Sequence, residues 1–89
     1  MKEKKIIIPN KLGLHARAAA KIVTLTNKFK SIIEITNGDK KTDAKSIMKI
    51  LMLAAPQVTE VKITASGKDE SAAIKSLEKL IKAKFNEEC

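Results

Sequence analysis

The chain has no tryptophan, no tyrosine and only two phenylalanines among its 89 residues. Any core it builds is therefore aliphatic, and it offers few rings on which nucleic-acid bases stack. It has a single cysteine, Cys89, which excludes an internal disulfide and fits a reducing compartment. No apolar run approaches the ~20 residues that cross a bilayer. Ile6–Ile8 is too short for a signal-peptide core, so the cytoplasm is the expected location. There is one histidine, hence no second imidazole to share a metal. There is also no Cys-His pair and no Walker-type glycine loop. No metal site and no cofactor is expected.

What is present is charge. Lys and Arg number 18 against 10 Asp and Glu, for a net +8. The excess is uneven: residues 1–45 hold 11 basic and 4 acidic groups, residues 46–89 hold 7 and 6. Such a field steers acidic partners toward the first half of the chain. The length suits one domain, residues 1–89, which buries only about 60–65% of its unfolded surface.

The apolar pattern predicts the order β-α-β-β-α-β-α. Lys4–Ile8 reads as a strand stopped by Pro9. Ala16–Phe29 reads as a helix with Ala19, Ile22, Val23 and Thr26 on one face. Ser31–Thr36 and Lys40–Ala44 form a hairpin, with Asn37 and Gly38 as the two central residues of a type I′ turn. Ser46 caps a helix over Ile47–Leu53 that stops before Pro56. Val58–Ala65 alternates as a half-buried strand. Gly67 turns the chain, and Asp69 is placed to cap a last helix with a stripe of Ala73, Ile74, Leu77, Leu80 and Ile81. The expected class is α+β, an open sheet with its helices on one face.

His15 stands in Gly13-Leu14-His15-Ala16-Arg17, where a strand gives way to a helix. A lone histidine is often a residue with no task. Here Gly13 permits an unusual turn, and the first-turn amides of Ala16, Arg17 and Ala18 lack intrahelical acceptors and suit an anion. Arg17 adds a planar guanidinium that matches phosphate oxygens. Its charge at a helix start is unfavourable by about 0.3–1 kcal/mol, a conflict that a bound anion would offset. A neutral imidazole attacks phosphorus through its lone pair without a separate base. Such a site, with no nucleotide-binding loop, suits a carrier of phosphoryl groups better than a complete enzyme.

These residues, with Lys45-Ser46-Ile47-Met48 about thirty positions later and Ala65-Ser66-Gly67-Lys68-Asp69-Glu70 beyond, resemble the HPr family. That family comprises the histidine-containing phosphocarriers of the bacterial phosphoenolpyruvate:sugar phosphotransferase system. The likeness is collinear over nearly the whole chain. It implies an open-faced β-sandwich, βαββαβα, of four antiparallel strands with three helices on one face. It implies that His15 accepts phosphate on Nδ1 from phosphorylated enzyme I and passes it to an enzyme IIA domain, acting as a monomeric carrier rather than an enzyme. Arg17 would hold the phosphate. Ser46 matches the serine that HPr kinase/phosphorylase modifies, a mark read by a catabolite-control transcription factor. Ile47, Met48 and Leu51 match an apolar docking patch, supported by Lys49. From helical spacing alone the three apolar residues read as core, Met48 being the one best suited to face a partner.

Four positions depart from the family pattern. Ala18 replaces a usual proline, Leu12 a usual small polar residue, and Ala54 and Val58 usual glycines. Three other readings stay open at this level. One is a small basic nucleic-acid-binding domain, for which the charge is suitable but no GxxG loop or RNP-like motif is present. Another is a paralogue that acts only through phosphoserine. The third is a module of an unrelated or nitrogen-related phosphotransfer chain, which the motif suits equally well.

Overall fold

Isoleucine and valine alternating with polar residues decide the sheet, because side chains on a strand point to opposite faces in turn. The computed structural model describes residues 1–9, 13–53 and 56–86. In order these form β1 (Lys2–Ile7), α1 (Ala16–Thr26), β2 (Ile32–Asn37), β3 (Lys40–Asp43), α2 (Ile47–Met52), β4 (Glu60–Ser66) and α3 (Glu70–Lys82). A short 3-10 turn, Lys84–Asn86, follows. The four strands pair antiparallel in the order β1-β4-β2-β3. Ile6, Ile33, Ile35, Val61, Ile63 and Ala65 are buried on the face that meets the helices. Ala19, Ile22, Ile50, Ala73, Leu77 and Ile81 complete the core from the helices, and Phe85 closes it beyond α3. The expected class and topology hold.

The differences lie at element ends. The first strand begins at Lys2, drawn into the ladder opposite Ala65. The first helix stops at Thr26 rather than Phe29, because the Asn27 side chain donates to the Val23 carbonyl at 2.8 Å and the N–H groups of Lys28 and Phe29 turn back on Leu25 and Thr26. The hairpin turn is shifted by one residue. Asn37 pairs with Lys40, leaving Gly38 and Asp39 central, and of these only Gly38 has positive φ, at 61°. That sign pattern belongs to a type II′ turn. Asn37 instead donates its side-chain N–H to the Leu53 carbonyl at the end of α2.

Asp69 stands at the cap position of α3 but makes no side-chain capping bond. Its carboxylate accepts the N–H of Lys30 at 2.8 Å, the N–H of Ser31 at 3.0 Å and the Ser31 hydroxyl. It thereby ties the link between α1 and β2 to the start of α3. Glu70 serves the helix start instead, accepting the Gly67 N–H at 3.2 Å and pairing with the N-terminal ammonium at 3.1 Å. Val58, expected in the last strand, lies before it with φ 69°.

Candidate functional site

The site is built where β1 hands over to α1. Gly13 takes φ 64°, a conformation that a side chain disfavours. The His15 N–H donates to the Gly13 carbonyl at 3.0 Å, and the His15 carbonyl accepts the first helical bond, from Ala19, at 2.8 Å. His15 itself is extended, φ −88° and ψ 179°, and half-buried at the N-cap of α1. Its Nδ1 accepts the Arg17 backbone N–H at 3.3 Å. The imidazole thus stands where a serine or aspartate oxygen usually caps a helix. A ring accepting at Nδ1 holds its neutral-state proton on Nε2, so the Nδ1 lone pair points into the positive end of the helix.

No acidic residue occupies the first turn of α1, so no carboxylate there competes with an incoming anion. Ala16 is exposed, whereas Ala18 is fully buried and anchors this turn in the core. Arg17 is exposed, and its side chain lines a groove between α1 and α3 beside Lys21. The structure therefore brings Arg17 to His15 through its backbone amide. Among the described residues no cluster of three or more His, Cys, Asp or Glu is placed to hold a metal ion.

Ser46 caps α2 as expected. Its Oγ accepts the Lys49 N–H at 3.4 Å and its carbonyl accepts the Ile50 N–H at 3.1 Å. The link before it is fastened to the end of α1. Thr26 donates its hydroxyl to the Ala44 carbonyl at 2.8 Å, and Lys45 donates its ammonium to the Phe29 carbonyl at 2.7 Å. On α2 the side chains divide. Ile50 enters the core, Leu51 is half-buried against it, and Ile47, Met48 and Lys49 are exposed. Met52, which the sequence reading missed, is 71% exposed beside Met48 at 69%. Their i, i+4 spacing was the available signal. Leu12, Ala54 and Cys89 lie outside the described residues.

A four-stranded antiparallel sheet under three helices, with one half-buried imidazole at the mouth of the first, defines a small open-faced β-sandwich of the phosphocarrier type. A family model described as "PTS HPr component phosphorylation site" matches residues 2–83. The chain belongs to the HPr family. It is 42% identical to the phosphocarrier protein HPr of Xylella fastidiosa strain 9a5c over 88 residues, 99% of each chain. It is 40% identical to the phosphocarrier protein NPr of Shewanella violacea over 96% of this chain and 93% of that one. The crystal structure of HPr-C-His from Thermoanaerobacter tengcongensis superposes with a TM-score of 0.96 at 50% identity, covering 100% of both chains.

Proposed function

We propose that this HPr-family phosphocarrier accepts a phosphoryl group on His15 from phosphorylated enzyme I and delivers it to an enzyme IIA domain in the cytoplasm, as a monomer. The observation that carries this reading is the Nδ1 lone pair held 3.3 Å from the Arg17 N–H at a helix N-terminus. In the transfer the Nδ1–P bond forms as the donor's P–N bond breaks, and the proton on Nε2 stays on the ring. The Arg17 N–H loses its acceptor at that moment. It joins the amides of Ala16 and Ala18 in donating to phosphoryl oxygens. The Arg17 guanidinium then swings from the helix surface to add a charged fork. Such transfers are governed by positioning and charge rather than by covalent chemistry of the protein.

The exposed Ile47, Met48 and Met52, with half-buried Leu51 behind them and Lys49 beside them, form the partner-docking surface. Methionine suits this use because it adapts to more than one partner surface. Ser46 is the regulatory position, modified by HPr kinase/phosphorylase and read by a catabolite-control transcription factor. A phosphate there is compatible with the N-terminus of α2 and sets negative charge against an acidic partner.

Incubation with enzyme I, Mg²⁺ and phosphoenolpyruvate is expected to yield an acid-labile phosphate that is absent in His15→Ala. Arg17→Ala should slow transfer and leave the thermal unfolding curve in place. Phosphate that persists in His15→Ala, or an Arg17→Ala protein with unaltered transfer rates, would refute the respective assignment.

A further inference from the structure

Helices α1 and α3 pack side by side and run antiparallel. Lys21, early in α1, donates to the Phe85 carbonyl just beyond α3, and Asp69, just before α3, holds Lys30 and Ser31 beyond α1. Between the two helices runs a groove of about 640 Å³, within the range of roughly 300–1,000 Å³ usual for small-molecule sites. Ala20 and Ala83 hollow it out, and Leu25 and Leu80 give it an apolar lining. Two of its polar residues are already engaged. The Thr24 hydroxyl donates to the Ala20 carbonyl at 2.9 Å, and the Lys21 ammonium is held by Phe85, so the Lys21 stem lines the groove as hydrocarbon. Arg17, Lys28 and Lys79 supply the remaining charge, and no carboxylate is among the lining residues. The reason is local. Helix α1 contains no acidic residue. The two carboxylates of α3, Glu70 and Glu78, are drawn toward β1, by the N-terminal ammonium at 3.1 Å and by Lys4 at 3.5 Å.

We propose that this groove binds a free single-chain anionic amphiphile, one carboxylate or phosphate headgroup on one alkyl chain. Charge selects the sign of the headgroup, since cations line the groove without a competing carboxylate. Width selects the single chain. Packed helices lie about 8–10 Å apart, so the furrow between them is narrower than a third helix, which with its side chains is about 10–12 Å across. A bilayer presents a plane, which meets the rim of a furrow and not its apolar floor. An alkyl chain lies along that floor and covers Leu25, Leu80 and Ala83. Lys28, beyond the end of α1, and Lys79, on α3, stand on opposite walls and take the headgroup, with the Ser76 hydroxyl on the α3 side. The chain then runs toward Ala20 and Ala83. No residue of α2 lines the groove, and the inference, which concerns the unphosphorylated chain, does not depend on how His15 is used.

The test is an amide-shift titration of the isotopically labelled full chain with dodecanoate, kept below its micellar concentration. Binding should saturate at one site, with shifts centred on Ala20, Thr24, Leu80 and Ala83. Decanoate should bind roughly fivefold to tenfold more weakly, because each buried methylene contributes. Dodecanol, with the same chain and no charge, should lose about tenfold or more. The double variant Lys28→Gln/Lys79→Gln should weaken dodecanoate binding to a similar degree and leave dodecanol binding and the circular dichroism spectrum unchanged. Absence of saturation, equal affinity for dodecanol, indifference to chain length, or shifts centred on Met48 and Met52 or spread over the sheet lysines Lys5, Lys41 and Lys62 would overturn the proposal. Inorganic phosphate that reproduces the shifts at similar affinity would reduce the groove to a site for charge alone. Phosphatidylglycerol vesicles that produce them more strongly than dodecanoate would reassign it to a bilayer surface. Either result would equally overturn it.

Discussion

Val58 holds a backbone conformation that β-branched residues avoid. Its φ is 69° and its side chain is 72% exposed, so no packing of the side chain compensates. The conformation is set by the backbone. The Val58 N–H donates to the Ile8 carbonyl at 2.8 Å, and next to it the Gln57 amide donates to the Pro9 carbonyl at 3.1 Å. These bonds clip down the segment that leads toward His15. The left-handed region is disfavoured by about 1–2 kcal/mol for an L-residue with a Cβ. Glycine removes that penalty but adds freedom to the unfolded chain. Val58→Gly is therefore expected to stabilise the domain by a net ~0.5–1 kcal/mol. Val58→Ala, which keeps the Cβ, should gain much less. Urea unfolding midpoints of the three proteins decide the matter. A Val58→Gly midpoint below the parent's would show that the strain is relieved elsewhere.

At the scale of elements, Asp69 illustrates how a residue placed to cap one helix comes to hold two elements together. The Ser31 hydroxyl, and after it the Lys30 and Ser31 N–H groups, keep its carboxyl below the ordinary carboxylate range. Glu70 is lowered by the Gly67 N–H and the N-terminal ammonium, and Glu78 chiefly by its bond with Lys82. A carboxyl with a folded pKa below its unfolded one binds fewer protons when folded. Its contribution is complete above the ordinary carboxylate range and is lost as pH falls through the folded value. Unfolding midpoints should thus decline only in acid. Asp69→Asn should start lower at neutral pH and converge on the parent as pH falls; parallel curves would remove Asp69 from the account. Asp69 also marks the limit of what is legible in sequence. Ser46 and His15 were readable because a cap, or a histidine after glycine at a helix start, is a local signal. Asp69 and Asn37 carry equally strong local signals, yet distant partners, Ser31 and Leu53, claimed their side chains. The strand pattern was legible to within a few residues because burial on one face imposes a period of two. The exposure of Met52 was not, since it depends on which neighbours cover α2.

For the whole molecule the dominant quantity is the net +8 carried mostly by residues 1–45. These residues supply α1, with the His15 site at its start. The exposed apolar patch on α2 offers contact area without selecting a sign of charge, whereas the surrounding field selects acidic surfaces and accelerates their arrival. Screening separates the two contributions, because the Debye length shrinks from about 30 Å at 0.01 M salt to roughly 4–5 Å at 0.5 M. The second-order rate of phosphoryl transfer from an acidic donor should therefore fall roughly tenfold or more between those concentrations. The first-order rate within the saturated complex should stay nearly constant, because the donor, His15 and the helix amides are then in contact and poorly screened. Stopped-flow transfer at limiting and saturating donor measures both. If the second-order rate proved indifferent to salt, the charge asymmetry would have no part in docking and the α2 patch alone would account for recognition. If instead the saturated rate fell in step, the positive groups would be acting in the transfer itself rather than in the approach.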